Sequence, residues 1–187
     1  MSGPGGATQS AVLVPVPAVE PVVAEHRRRL DPASTLGVPA HVTVIYPFVQ
    51  PSELGAALFE RLADAVRSVP AFTCSFTGPD WFDENVVWLR PEPDTHFRVL
   101  THAVWESFPD YPPYGGEFDD VTPHVTVGQV GTASLEQLRA AAVAVRPHLP
   151  VESRVAEAVV MAGSDAPNSW TVVQRLPLGS QEASGFK

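Results

Sequence analysis

Apolar and polar positions along the chain follow two periods, and each switch between them marks an element. Residues 11–16, Ala-Val-Leu-Val-Pro-Val, form a β-branched run that reads as a strand, its prolines placing it at an edge or a strand end. Pro21 to Leu30 has helix-forming content, and Asp31-Pro32 ends it because the residue before proline is driven out of helical space. Pro39 to Phe48 returns to alternation, which puts His41 and Thr43 on one strand face and Val42 and Val44 on the other. Ser52 can cap a helix reaching about Val69, since Leu54, Leu58, Leu62, Ala65 and Val69 recur at three- and four-residue steps. Ala71 to Thr77 alternates as a strand, Gly78-Pro79-Asp80 reads as a turn, and Val86 to Leu89 reads as a strand ended by Pro91. A helix follows over Thr95 to Phe108, with Phe97, Leu100, Val104 and Phe108 as its apolar stripe. After a loop rich in Pro, Gly and aromatics from Pro109 to Phe118, Thr122 to Val127 repeats the design of the earlier alternating strand. Ser134 to Arg146 reads as a helix, Val151 to Met161 as one strand and Trp170 to Leu176 as the last.

These elements occur twice in one order. Strand, helix, His-Val-Thr-Val strand, helix, strand describes residues 11–77 and again 86–161, the signature of a duplicated supersecondary unit. Two such halves should pack about a pseudo-twofold axis. The expected organisation is a flexible head over 1–10, one domain over 11–178 and a polar tail over 179–187. A chain of 187 residues buries roughly 70 % of its extended surface on folding, enough for one core. Hydrophobic residues make up 44 % and charged ones 18 %, a globular profile in which the 20 prolines act as punctuation.

Composition narrows the function. Lys plus Arg number 12 against 21 Asp plus Glu, a net charge of −9 that repels long polyanions, so DNA is excluded as a partner and long RNA disfavoured. The first ten residues lack Lys and Arg, and the apolar stretch from Ala11 to Val19 is short and broken by Pro15 and Pro17, unlike a signal peptide or a membrane span. The single Cys74 closes no intramolecular disulfide and has no neighbour that would activate it. The expectation is a cytoplasmic monomer with no membrane partner.

The chemistry lies in the two copies of His-Val-Thr-Val. A second copy arises by chance in roughly one such chain in a hundred, and a polar His-Thr pair on one strand face is not what a purely structural sheet needs. About a twofold axis, His41, Thr43, His124 and Thr126 converge in one cleft. Imidazole titrates near neutrality, so one ring can act as base and the other as acid, each worth about 10²- to 10⁴-fold in rate. The hydroxyls can hold non-bridging phosphate oxygens between them. Two histidines without a carboxylate or cysteine beside them make a poor metal set, so neither metal nor cofactor is expected.

His41-Val42-Thr43-Val44 and His124-Val125-Thr126-Val127 resemble the paired motifs of the 2H phosphoesterase superfamily, which includes the 2′-5′ RNA ligase-like and cyclic phosphodiesterase proteins. The resemblance covers Ala11 to about Leu178, because element order agrees as well. It implies a bilobal α+β fold, with antiparallel sheets lining a central cleft and helices outside. It also implies hydrolysis of 2′,3′-cyclic phosphates or related small phosphodiesters, with His41 as proton donor, His124 as acceptor, and Thr43 and Thr126 on the phosphate. Two other activities remain open: a nucleotide-binding module without turnover, and RNA end joining. Glu117, Asp119 and Asp120 near the second motif favour a nucleotide or small cyclic phosphate over RNA.

Flanking residues complete the expected site. Tyr46, Phe48, Tyr111, Tyr114 and Phe118 either stack a nucleobase, worth about 1 to 3 kcal/mol per base, or pack the loop. Arg90, ending a strand near the motifs, is a candidate phosphate partner. Arg27-Arg28-Arg29 reads as a solvated helix end, and His26, His96, His102 and His148 as surface residues.

Overall fold

The computed structural model describes residues 6–117 and 120–180. Eight strands form one sheet: β1 (Gln9–Pro15), β2 (His41–Ile45), β3 (Phe72–Phe82), β4 (Val86–Glu92), β5 (Val125–Gln129), β6 (Val151–Val155), β7 (Glu157–Gly163) and β8 (Thr171–Pro177). Five helices accompany it: α1 (Glu20–Leu30), the single-turn α2 (Pro32–Thr35), α3 (Ala56–Arg67), α4 (Thr95–Ser107) and α5 (Leu135–Val145). The strand order is β6-β3-β4-β5-β2-β1-β7-β8, and all seven neighbouring pairs are antiparallel. This is the α+β architecture expected from the resemblance.

The sheet has to curl. β6 and β7 lie six strand positions apart, about 29 Å in a flat sheet, yet only Ala156 separates them in sequence. Two Cα steps reach about 7 Å, so the sheet bends back until its β3/β6 side meets its β7 side. The bend is centred on the β2/β5 seam, where Val42 opposite Val125 is the one recorded pair. Sequence halves and lobes do not coincide. β3, closing the first repeat, pairs in the second lobe with β4 and β6, and β7, from the second repeat, pairs in the first lobe with β1. The helices cross over likewise, with α1 packing on β5 and α4 on β2.

Packing explains the details. In α1, Val23 and Leu30 are buried at helical spacing, and α5 buries Leu138, Ala141, Ala142 and Val145. Both helices close on β5 at Gly128, where an added Cβ would lie 2.6 Å from Leu30 Cβ and 2.8 Å from Leu138 Cδ2. Only glycine permits that approach. A capping box between Ser134 and Gln137 starts α5.

Several expectations are corrected. Gly78-Pro79-Asp80 is no turn: β3 runs through it with an irregularity in its β4 register between Phe76 and Pro79. The reversal comes after Phe82 instead, where Asp83 takes φ 49°. The single strand expected over 151–161 is two strands on opposite sides of the sheet, because unbroken β-propensity hides a one-residue change of partner. Ser52 lies in a 3-10 turn (Pro51–Glu53), and Gly55 occupies the N-cap of α3. His96 stacks on Phe72, with centroids 4.7 Å apart and planes at 13°. Arg27 is 2 % exposed, since it shares the inner stripe of α1 with Val23 and Leu30. The reading of Cys74 as an unactivated thiol needs no correction: it is buried, and burial pushes it up to about 11.

Candidate active site

The seam builds the site. β2 and β5 meet at Val42 and Val125, and continuing that antiparallel register sets His41 across from Thr126 and Thr43 across from His124. Facing Cβ atoms in such a pair lie about 4.5 to 5.5 Å apart, the spacing at which that register would set each imidazole facing the other motif's threonine. The valines point the other way and are buried, while both His and both Thr keep partial access to solvent.

Each ring is aimed by the same device. His41 Nδ1 lies 2.7 Å from the Pro39 carbonyl oxygen and His124 Nδ1 lies 2.8 Å from that of Thr122, in both cases two residues upstream. A carbonyl only accepts, so Nδ1 carries the hydrogen and, in the neutral ring, Nε2 keeps its lone pair. Desolvation lowers the His41 pKa to about 4. The Pro39 bond opposes that shift, Arg27 adds to it, Asp31 opposes it and His124 adds to it. His124 is also lowered by desolvation, against the Thr122 bond and Asp31. Both rings are therefore poised neutral at physiological pH.

Aromatic rings enclose His124. Phe82 meets it edge-on at 4.9 Å, Trp88 at 5.8 Å, and Tyr114 lies nearly parallel at 6.4 Å and 18°. Trp88 faces the cleft because it pairs with Thr126 in the β4/β5 register. Tyr114 also hydrogen-bonds with Thr43, so it spans the two motifs; burial raises its pKa and that bond works against the rise. It sits in a 3-10 turn (Pro113–Gly116) with φ 51°, followed by Gly115 at 65° and Gly116 at 79°. A non-glycine residue in the left-handed region costs about 1 kcal/mol, held here by the contacts of the ring.

The other expected site residues separate. Phe48 is 4 % exposed and packs edge-on against Phe108 and Tyr111, so both loop aromatics serve the core there. Tyr46 stands at the rim, 37 % exposed, bonded to Gln9 at 2.5 Å and edge-on to Trp170. Arg90 lines a pocket of about 510 Å³ with Asp80, Phe82, Trp88, Glu92 and Asp94, contiguous with His124 through the two rings. There Asp80 and Glu92 engage its guanidinium, leaving little charge for a phosphate. Phe118 and Asp119 lie outside the described residues. Asp120 is paired to Arg98 at 2.8 Å.

Sequence reasoning missed Phe82, Trp88 and the buried pair of Arg27 with Asp31, whose atoms lie 2.9 Å apart. Phe82 was hidden by the misplaced turn. Arg27 was legible: Val23, Arg27 and Leu30 fall on one helical stripe, and Asp31 stands one turn on. Among the described residues, no three His, Cys, Asp or Glu side chains cluster to hold a metal ion, and no helix is long and apolar enough to cross a membrane.

Comparison with known proteins agrees with this fold. No curated sequence matches the chain. Solved structures do: Escherichia coli LigT complexed with NADP+ is 18 % identical, with 94 % of this chain and 99 % of that one covered and a TM-score of 0.58. The same protein complexed with 3′-AMP is 17 % identical over 93 % and 99 %, with a TM-score of 0.55. TT0787 of Thermus thermophilus is 15 % identical over 93 % and 100 %, with a TM-score of 0.61. At these identities the likeness is one of fold. The model of the 2′-5′ RNA ligase superfamily matches residues 14–166, both motifs included, and the chain belongs to that family.

Proposed function

We propose that this protein hydrolyses a 2′,3′-cyclic phosphate or another small phosphodiester by paired-histidine acid/base catalysis, without a metal. The observation that carries the reading is the pair of carbonyl-bound Nδ1 atoms, which leaves both Nε2 atoms for chemistry on two motif strands that pair at one seam. Thr43 and Thr126 donate to the non-bridging oxygens, and Tyr114 yields its bond with Thr43 or shares it. A water gives a proton to His124 Nε2 as its oxygen bonds to phosphorus. The bond from phosphorus to one ribose oxygen breaks, and that oxygen takes the proton carried on His41 Nε2. Exchange with solvent resets both rings.

His41 must be protonated to act as the acid, and its pKa of about 4 works against that. The anionic substrate reverses the balance, because a negative phosphate beside the ring favours the charged imidazolium. Phe82 and Tyr114, both partly exposed, flank the space beside His124 that a nucleobase or ribose would take, with Trp88 buried and stacked on Phe82. The carboxylates of Asp80, Glu92 and Asp94 beside them disfavour a longer phosphate chain, which is why we place small substrates ahead of RNA. The ligand class agrees with that of the 3′-AMP complex of the E. coli protein.

Turnover of 2′,3′-cyclic nucleotides in ¹⁸O-enriched water with excess chelator tests this. One ¹⁸O atom per product phosphate is expected. Binding of the nucleotide without product would instead make the protein a binding module.

A further inference from the structure

The carbonyls that aim the two histidines belong to loops that are themselves tied down, and the tie is the same on both sides. Arg27 on α1 donates from Nη2 to the carbonyl of Val38, three residues before His41, at 3.0 Å. Arg98 on α4 donates from Nη1 to the carbonyl of Val121, three residues before His124, at 2.6 Å. A carboxylate one helical turn away fixes each guanidinium: Asp31 at 2.9 Å from Arg27 Nε, and Asp94 at 2.8 Å from Arg98 Nε. α1 and α4 are the first helices of the two repeats, so the arrangement obeys the pseudo-twofold axis. Sequence comparison of the halves does not reveal it, because the arginines stand at different distances from their histidines and their carboxylates lie on opposite sides in sequence.

We propose that Arg27 and Arg98 are a duplicated pair of positioning residues, each holding through the Val38 or Val121 carbonyl the loop whose next carbonyl sets the aim of His41 or His124. The inference rests on the reading of the two histidines as the acid/base pair. The leverage is short: arginine to carbonyl, one peptide onward, then carbonyl to Nδ1. A displacement of about 1 Å at a reacting group costs about 10²-fold in rate, so a loosened loop is felt in turnover before it is felt in folding.

The two ties differ in setting. Arg27 and Asp31 are 2 % and 4 % exposed, and Asp31 also caps α2 through the Ala33 amide at 3.0 Å. The Arg98 side chain is 37 % exposed and shares itself with Asp120 at 2.8 Å. The first tie is thus built into the core, while the second is open to solvent and salt.

The test reads the rings directly. In Arg98→Met, ¹⁵N-edited NMR of the imidazoles should show His124 losing its protected Nδ1–H signal and its titration moving further below the ordinary histidine value, because the lost Thr122 bond is what opposes desolvation, with His41 unchanged. The other groups facing His124, namely Phe82, Trp88, Tyr114 and the Asp31 charge, are untouched by this change. On a cyclic nucleotide, kcat should fall about 10²-fold with little change in KM, and Arg98→Lys should recover part of the loss. For the buried tie, Arg27→Met combined with Asp31→Leu removes both charges and so leaves neither buried unpaired; there the His41 Nδ1–H signal should be lost and that of His124 kept, while both titrations move because the Asp31 charge acts on both rings. The proposal is overturned if folded Arg98→Met leaves His124 unchanged, or if that single variant shifts both histidines alike. Should the ring signals respond as expected while the wild-type protein turns over no phosphodiester, the positioning stands and the hydrolase reading fails.

Discussion

The His41 and His124 side chains have their Nδ1 atoms committed to backbone carbonyls and their Nε2 atoms left for chemistry, which converts two ordinary residues into a matched pair. Both pKa values lie below 6.5, His41 at about 4, so both limbs of the kcat/KM profile should fall on the acid side of 6.5. The base is lost as pH drops through the lower value and the acid as pH rises through the higher. The kcat profile should sit at higher pH, since bound phosphate favours imidazolium. Steady-state rates from about pH 4 to 8 check this, and a kcat/KM optimum above 7 would contradict it. The four motif residues could be read in the sequence because a polar pair on an alternating strand stands out against an apolar face. Trp88 and Phe82 could not, because an aromatic in a strand looks the same whether it faces a core or a cleft.

Elements were legible where one period ran unbroken, and least legible where the chain changes partner without changing composition. The stripe read for α4 matches its buried face, and that read for α3 does so at Leu62 and Ala65. β6 and β7 read as one strand because Ala156 carries no turn signal, and only the sheet topology separates them. One tight junction between elements is Gly128 under α1 and α5, and it yields a prediction. Gly128→Ala forces backbone or Leu30 to move, an overpacking that costs about 1 to 3 kcal/mol. A lowered midpoint in chemical denaturation with an unchanged slope is expected; a neutral variant would mean that α1 does not press on β5 as described.

At the scale of the molecule, the duplication was legible but the exchange between its copies was not. Motif spacing reports order along the chain, whereas strand pairing depends on which edges meet in space. Because β3 pairs with β4 and β6 while β1 pairs with β2 and β7, the first repeat has no complete sheet of its own. A fragment spanning residues 6–82 should therefore lack dispersed amide signals in NMR, and a folded fragment would show that the first repeat does not need the second. The exchange also explains why a shallow seam between β2 and β5 suffices: continuous chain crosses it several times, holding the two motif strands at one spacing. Paired-histidine chemistry depends on that spacing, and a phosphorus-31 NMR time course reads it, with a 2′,3′-cyclic nucleotide in excess chelator and wild-type protein beside His41→Ala and His124→Ala. Conversion of cyclic phosphate to monoester by the wild type is expected, slowed by about 10² or more in each variant. Equal rates in all three samples, or no conversion in any, would contradict it.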